Sequence, residues 1–265
     1  MTNKLSADSS GILRYQLGNQ VSALGIPSAE AFTTTKVIGR DPEKLCTELG
    51  TELSRFARPH QVHGTTVRQI AEEFFSLPEH IRTMLLSGVD AVIYDVRNAC
   101  IGISTADCIP VLCYDSKHHC AATIHAGWRG TVERIVIRTI EQMHKTYGTE
   151  ASDLHCLIGP GISLESFEVG DEVYYAFAEK GFPMEQIAMQ MPATHIVAPG
   201  STGRDTLLKW HIDIKECNRM QLLSLGVQSE NIIMTDIDTM TDDRFFSARR
   251  EGADTGRMLS GIILR

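Results

Sequence analysis

The sequence predicts an α+β fold, with helices packed outside a mixed β-sheet core. Three observations carry this. Four short runs rich in β-branched residues follow one another between residues 90 and 126, separated only by turn-length gaps. Directly after them the apolar spacing switches from alternation to helical period. The chain then closes on further strand-like runs. Strands and helices are therefore partly segregated, which is an α+β pattern rather than a βαβ repeat.

The elements follow in order. Residues 1 to 60 are mixed, with a short helix expected at DPEKLCTELGTELSRF, and residues 71 to 87 form a helical excursion that ends at Gly88. DAVIYD (90–95), CIGIST (100–105), IPVLCYD (109–115) and CAATIHA (120–126) are strands, and their short connections at Asn98 and at Asp115 to His119 favour antiparallel pairing. After Gly130, the residues Val132, Ile135, Val136, Thr139, Ile140 and Met143 fall on one helix face that ends near Gly148. Thr131 is the expected N-cap of that helix, with Glu133 in its positive first turn. A strand at LHCLIGP, a helix near DEVYYAFAEKG, a helix over 213 to 225, and strands at NIIMTD, RFFSARR and MLSGIILR complete the reading.

Composition narrows the function. The 265 residues suffice for a sizeable core in one domain, and 43% hydrophobic with 22% charged residues is ordinary for a globular protein. A net charge of -8 with no Lys/Arg block argues against nucleic acid as a partner. No run of about 18 apolar residues exists to span a membrane, and MTNKLSADSSGILRYQLG lacks the apolar centre of a leader. Seven cysteines without CxxC spacing read as free thiols in a reducing, cytoplasmic setting.

Three stretches concentrate chemistry: HQVHG (60–64), STADCIP (104–110) and IHAGWRG (124–130). Each sets a His or Cys at or just after a strand end among small residues, where a ligand can approach the backbone. His63, Cys108 and His125 thus form a candidate metal site. Two imidazoles and one thiolate suit Zn²⁺, and three protein ligands leave a fourth position open, as in catalytic sites. The same residues also suit a nucleophile: Cys108 activated by His125 or His63, with Asp107 orienting the ring. Residue types alone leave both readings open. HHC (118–120) resembles a ligand cluster but lies in the polar turn DSKHH, where adjacent histidines point to opposite faces. His144, His155, His195 and His211 read as structural. Arg129 stands before a helix whose free N–H groups favour anions and offers a bidentate fork for phosphate or carboxylate, and Trp128 offers a pocket wall.

The ordered strings QVHG, GISTADCIPVL, AATIHAGWRGT, IGPGIS with FEVGDEV, and FFSARR with GRM resemble the YfiH/YlmD-type laccase-domain family over about residues 55 to 265. Members of that family are described as purine nucleoside phosphorylases and, formerly, polyphenol oxidases. The resemblance implies a layered αββα fold related to the catalytic domain of cytotoxic necrotising factor, spanning 1–265 as one domain with an atypical segment 1–54. It implies zinc on His63, Cys108 and His125. It also implies phosphorolysis of adenosine, inosine and S-methyl-5′-thioadenosine to base and ribose 1-phosphate, with adenosine deamination as a second activity. Arg129, Lys36 and Arg249 are the implied substrate or phosphate contacts, Cys108, His125, Arg129 and Asp107 the implied catalytic groups, and small-molecule nucleoside and phosphate the partners of a monomer or small homo-oligomer.

Copper enters only as a substitute. Ten histidines without a single His-X-His pair do not make a coupled multi-copper centre, although one Cu²⁺ could displace Zn²⁺ from nitrogen and sulfur ligands. The chain also departs from the family pattern. Its S-T-R-x-G-G loop appears here as TTTKVIG (33–39), with Lys36 at the arginine position and the double glycine gone. The family's Cys-Thr is Asp238-Thr239, and the aromatic of its F-S-Y-R-R is Ala248.

Overall fold

A computed structural model describes residues 10–18, 28–193 and 208–265. His195 and residues 1–9 of the N-terminal segment tested for a leader lie outside them. The described chain begins with strands β1 (Ile12–Gln16) and β2 (Ala29–Thr34), helix α1 (Pro42–Leu49), and strands β3 (Phe56–Ala57) and β4 (Val67–Ile70). Helix α2 (Glu79–Leu85) precedes β5 (Ala91–Tyr94), β6 (Cys100–Thr105), β7 (Ile109–Asp115) and β8 (Cys120–Ala126). Helices α3 (Trp128–Val132) and α4 (Ile135–Tyr147) lead into β9 (Leu154–Ile158) and β10 (Glu168–Val169). Then come α5 (Asp171–Glu179), α6 (Met184–Ile187), β11 (Ala188–Pro192), β12 (Leu208–Ile212), α7 (Ile214–Ser224), β13 (Ile232–Met234), α8 (Ala248–Glu251) and β14 (Met258–Leu264).

Two sheets stack face to face. One has the order β1-β2-β14-β6-β3 and the other β13-β9-β7-β8-β5-β4; a small third sheet has the order β10-β12-β11. Alternation along the strands assigns the layers. Leu112, Tyr114 and Ala121 of one large sheet meet Ala31, Ile101 and Ile262 of the other in a shared core. The opposite side chains, among them Val111 and Ile124, pack on Val136 and Ile140 of α4 and Leu222 of α7. Ile12, Phe32 and Ile263 pack outward on Leu45 and Leu49 of α1. The result is helix, sheet, sheet, helix, the layering that the family resemblance implies.

Several local expectations are corrected. The helix after the DPEK stretch stops at Leu49, because Gly50 turns left-handed at φ 62 and sends its N–H back to the last turn. The 71–87 excursion is a single tight turn, Glu72–Ser76, and then α2, since Pro78 starts a new helix. Consecutive strands β5 and β6 do not pair: β6 pairs with β14 and β3 in the other sheet, while β5 pairs antiparallel with β8. The helix after β8 begins at Trp128 and breaks at Arg134, whose φ is 63. Thr131 is therefore no N-cap. It is buried inside α3, and its hydroxyl pairs with the Asn218 side chain. RFFSARR forms no strand. Ser247 instead caps α8, accepting from the Arg250 N–H at 3.1 Å.

Candidate metal centre and its cavity

The β5–β8 register sets Ala91 opposite Ile124, so Asp90 and His125 are neighbours one step further along. Both face the space between the sheets, and both are buried. His125 Nδ1 donates to Asp90 Oδ1 at 2.8 Å, which leaves Nε2 for a ligand. Burial alone would lower the His125 pKa, but the Cys108 thiolate and the Asp90 carboxylate override it and hold it at about 9.

The same carboxylate builds the His63 loop. Asp90 Oδ1 accepts from the His63 N–H at 2.9 Å, and Oδ2 accepts from Val62 N–H at 3.2 Å and Gly64 N–H at 2.8 Å. Three converging N–H groups favour the charged carboxylate, and His63 takes up the left-handed conformation at φ 61. Burial pushes the Asp90 carboxyl up, yet His125 and these N–H groups hold it below its usual value. Gln61 clips the loop to the other sheet: its side chain donates to Ser104 O at 2.8 Å and accepts from Ser104 N–H at 2.7 Å.

Cys108 is set by a second carboxylate. Asp107 sits at φ 81, a conformation that costs a non-glycine residue free energy and needs to be held from outside. Its Oδ1 accepts from Thr239 Oγ1 at 2.7 Å, and its Oδ2 from Ser247 Oγ at 3.1 Å and Arg249 N–H at 2.7 Å. Asp107 therefore ties the Cys108 turn to the C-terminal segment. It is Asp90, not Asp107, that orients His125. Gly127 explains the small residues of IHAGWRG: a Cβ there would stand 3.0 Å from Cys108 Sγ and 3.1 Å from His63 Cδ2.

One ligand atom from each of His63, Cys108 and His125 lies within 4.8 Å of the others. The His63 and His125 rings meet edge-on, 4.9 Å between centroids. Burial would raise the Cys108 thiol, but the adjacent His125 and His63 bring it down to about 6. Two imidazole nitrogens and a readily ionised thiol fit the donor chemistry of Zn²⁺.

The centre opens into a cavity of about 1260 Å³. Of the residues singled out in the sequence, Asp107, Trp128 and Arg249 line it, but Lys36 and Arg129 do not. Lys36 Nζ contacts Glu251 Oε1 at 2.6 Å and lies over the Phe246 ring. Arg129 is exposed, with its guanidinium 4.3 Å from the Trp128 ring centroid. Arg249 donates to Glu168 O at 2.8 Å and lies over Phe167. His144 Nδ1 donates to the Thr149 backbone oxygen and His211 Nδ1 to the Leu164 backbone oxygen, each at 3.0 Å, as structural residues do. Sequence reasoning missed Asp90 and Gln61. Asp90 reaches the centre through the β5–β8 register, and Gln61 acts through its side-chain bonds to Ser104, 43 residues away; one chain read by itself supplies neither pairing.

A family model described as multi-copper polyphenol oxidoreductase laccase matches residues 33–265. The chain belongs to this laccase-domain family. Among laccase-domain relatives, the chain is similar to a purine nucleoside phosphorylase of Bacteroides thetaiotaomicron, 46% identical over 207 residues, which is 78% of this chain and 72% of the relative. It is 36% identical over 219 residues to the adenosine deaminase RL5 of an unknown prokaryotic organism, 82% of this chain and 78% of that one. The fold is that of Bacillus licheniformis YfiH, with a TM-score of 0.80 at 21% identity over 100% of both chains. Geobacillus stearothermophilus YlmD matches with a TM-score of 0.77 at 24% identity over 98% of each. Among the described residues no helix is long and apolar enough to cross a membrane.

Proposed function

We propose that this laccase-domain protein is a zinc-dependent purine nucleoside enzyme. Its reactions are phosphorolysis of adenosine, inosine and S-methyl-5′-thioadenosine to base and ribose 1-phosphate, and adenosine deamination to inosine. The observation that carries the reading is the convergence of His63, Cys108 and His125 at the wall of a large cavity, with Asp90 bonded to both histidine segments. Relatives named for the phosphorylase and deaminase activities support the substrate class. We place the protein in the cytoplasm on its seven free thiols, as one domain over 1–265 and as a monomer or small homo-oligomer.

His63, Cys108 and His125 would hold the metal. A Zn²⁺ held there would supply a Lewis acid able to acidify water toward neutral pH. Cu²⁺ would compete for the same nitrogen and sulfur donors. The chain's own residues do the rest. Asp90 fixes the His125 tautomer through Nδ1. Trp128 and Phe167 offer flat apolar walls to a purine. Arg249 brings positive charge to the cavity for an anionic substrate oxygen. Asp107 holds the Cys108 turn in place.

The test pairs elemental analysis of protein purified without added metal with two adenosine assays. One follows adenine release with phosphate; the other follows inosine formation. Stoichiometric zinc and turnover in either assay support the reading. Zinc-free protein that turns over neither would end it. A second reading, Cys108 as nucleophile, is favoured by its pKa of about 6 beside a His125 at about 9. Zinc content unchanged in Cys108→Ala, with turnover lost, would select that reading.

A further inference from the structure

The cavity is charged against the sign of the protein. The chain carries a net charge of -8, yet five arginines line this one cavity: Arg40, Arg58, Arg82, Arg249 and Arg257. Its acidic lining residues are Asp107, committed to Thr239, Ser247 and the Arg249 N–H, and the exposed Glu79. Elsewhere arginines end on carboxylates, as in Arg14–Glu30, Arg55–Glu72 and Arg244–Asp242. Arg257 donates to the Gly256 and Ala253 carbonyls. Arg58 and Arg40 differ. Among the described residues, neither side chain has an ion pair or a hydrogen bond. Asp41, next to Arg40, is spent on the N-terminus of α1. Burial, and then the Arg40 charge beside it, hold Arg58 below the usual guanidinium range.

We propose that Arg58 and Arg40 form a phosphoryl-binding subsite of this cavity. Two like charges, one half-buried and both without a counter-charge, are unfavourable in the free protein and become favourable when a dianion lies between them. Guanidinium is the group best shaped to take phosphate oxygens two at a time. The subsite also resolves the fate of the altered TTTKVIG loop. Lys36 is turned to Glu251, so positive charge reaches the cavity from this segment through Arg40, four residues on. Arg58 brings the second charge from the end of β3, five residues before His63. Naming the ligand as inorganic phosphate, or as a phosphate carried on a nucleoside, rests on the proposed nucleoside chemistry; the binding of a phosphoryl group does not.

The experiment is calorimetric titration of the metal-loaded protein with inorganic phosphate and, separately, with adenosine 5′-monophosphate, backed by melting curves with and without each. Arg58→Gln is expected to weaken binding at least about tenfold and Arg40→Gln several-fold, both reducing the melting-point rise that bound ligand gives. Lys36→Gln leaves both affinities as they were. A loss confined to inorganic phosphate assigns the subsite to the free anion, and a loss confined to the nucleotide assigns it to a substrate phosphate. In phosphate-free buffer Arg58→Gln melts at or above the wild-type temperature, because an uncompensated charge has gone. A lower melting temperature there would overturn the assignment of Arg58 as unpartnered. Wild-type protein that binds neither probe, or Arg58 and Arg40 variants that bind both unchanged, would overturn the subsite. Phosphate binding governed by Arg58 in a protein that turns over no nucleoside would remove the nucleoside reading and leave the subsite standing.

Discussion

The β7–β8 hairpin gathers metal-capable side chains at both ends, and only one end has the surroundings of a reactive centre. At the open end stand Cys108 and His125, joined by His63. At the turn end stand Asp115 and His118, joined by Asp153, with ligand atoms within the same 4.8 Å. The turn end is self-satisfied. Asp115 Oδ1 accepts from Lys117 N–H and His118 N–H, its Oδ2 meets His118 Nδ1 at 2.8 Å, and Asp153 pairs with Lys117 at 3.4 Å. Those bonds make a polar turn and close it. At the open end the supporting carboxylate, Asp90, is a separate residue on β5's approach, so the candidate ligand nitrogen and sulfur atoms face one another beside a cavity. Three metal-capable groups within reach do not by themselves distinguish the two ends; what the supporting groups are bonded to does.

The largest expected effect breaks this contrast outright. Cys108→Ala removes the thiolate, and under the zinc reading it loses most bound zinc and all nucleoside turnover. His118→Ala, at the other end of the same hairpin, retains both. Elemental analysis of the two variants side by side is the check, and zinc lost from His118→Ala instead would move the centre to the turn. Asp90→Asn comes next. The amide keeps the shape but cannot accept all the bonds that the carboxylate takes from His125, Val62, His63 and Gly64. Losing such a support typically costs about 10–100-fold in metal affinity, read by competition with a chelator. Unchanged affinity would show that the His63 loop holds its shape without this anchor.

The two ends also differ in how legible they were. DSKHH was readable as a turn because its polar run between two apolar strands is local information. The three candidate ligands were readable as a set by residue type, and more firmly by resemblance, but not their supports. Asp90 reaches His125 through the β5–β8 register, across 35 residues. Asp107 reaches Thr239 across 132 residues and Arg249 across 142. Its expected role on the histidine ring failed because φ 81 turns its side chain to the C-terminal segment. The α+β class was legible because period and alternation are local, whereas the αββα layering came only with the resemblance. The split of β5 and β6 between two sheets was not, since β6 is claimed by β14 from the end of the chain. RFFSARR misled for a related reason: its aromatic pair reads as strand, yet Ser247 and Arg249 are held by Asp107.

Asp107→Asn sharpens the comparison at the open end. Asparagine tolerates the left-handed backbone, so the change isolates the charge. Weakening the bonds to Thr239, Ser247 and Arg249 is expected to cost roughly 1 kcal/mol of stability and to lower kcat/KM several-fold, with zinc content near wild type. A denaturant titration and steady-state assays on adenosine measure both. Loss of zinc in step with activity would mean that Cys108 itself has moved. Arg129→Lys is smaller. The guanidinium lies on Trp128 outside the cavity, an exposed contact worth about 0.5–1 kcal/mol. Near-normal melting and a few-fold rise in the nucleoside KM are expected, through a less firmly held indole. A phosphate-specific loss would place Arg129 at the anion instead.

The smallest expected effect is at Lys36. By resemblance this position belongs to an arginine that meets substrate, and restoring arginine would then raise phosphorolysis. The geometry argues otherwise. Lys36 Nζ is held by Glu251 at 2.6 Å, both side chains are about a third exposed, and Phe246 lies beneath. Three donors of different residues, Lys36, Arg250 and Thr255, converge on the Glu251 carboxylate and hold it down at about 2. An arginine at 36 meets the same carboxylate with a better-matched fork and has no reason to leave it for the cavity. Lys36→Arg is therefore expected to leave phosphorolysis, phosphate affinity and zinc content unchanged, and to alter stability by less than about 1 kcal/mol, as partly exposed ion pairs do. The checks are the adenine-release assay at limiting phosphate and a melting curve. A clear gain in phosphorolysis would mean that residue 36 swings into the cavity when substrate binds, and that the Glu251 contact is a resting position. The double change Lys36→Arg with Glu251→Gln decides between the two: freed of its carboxylate, an arginine that can reach the cavity raises phosphorolysis, and one that cannot reach it does not.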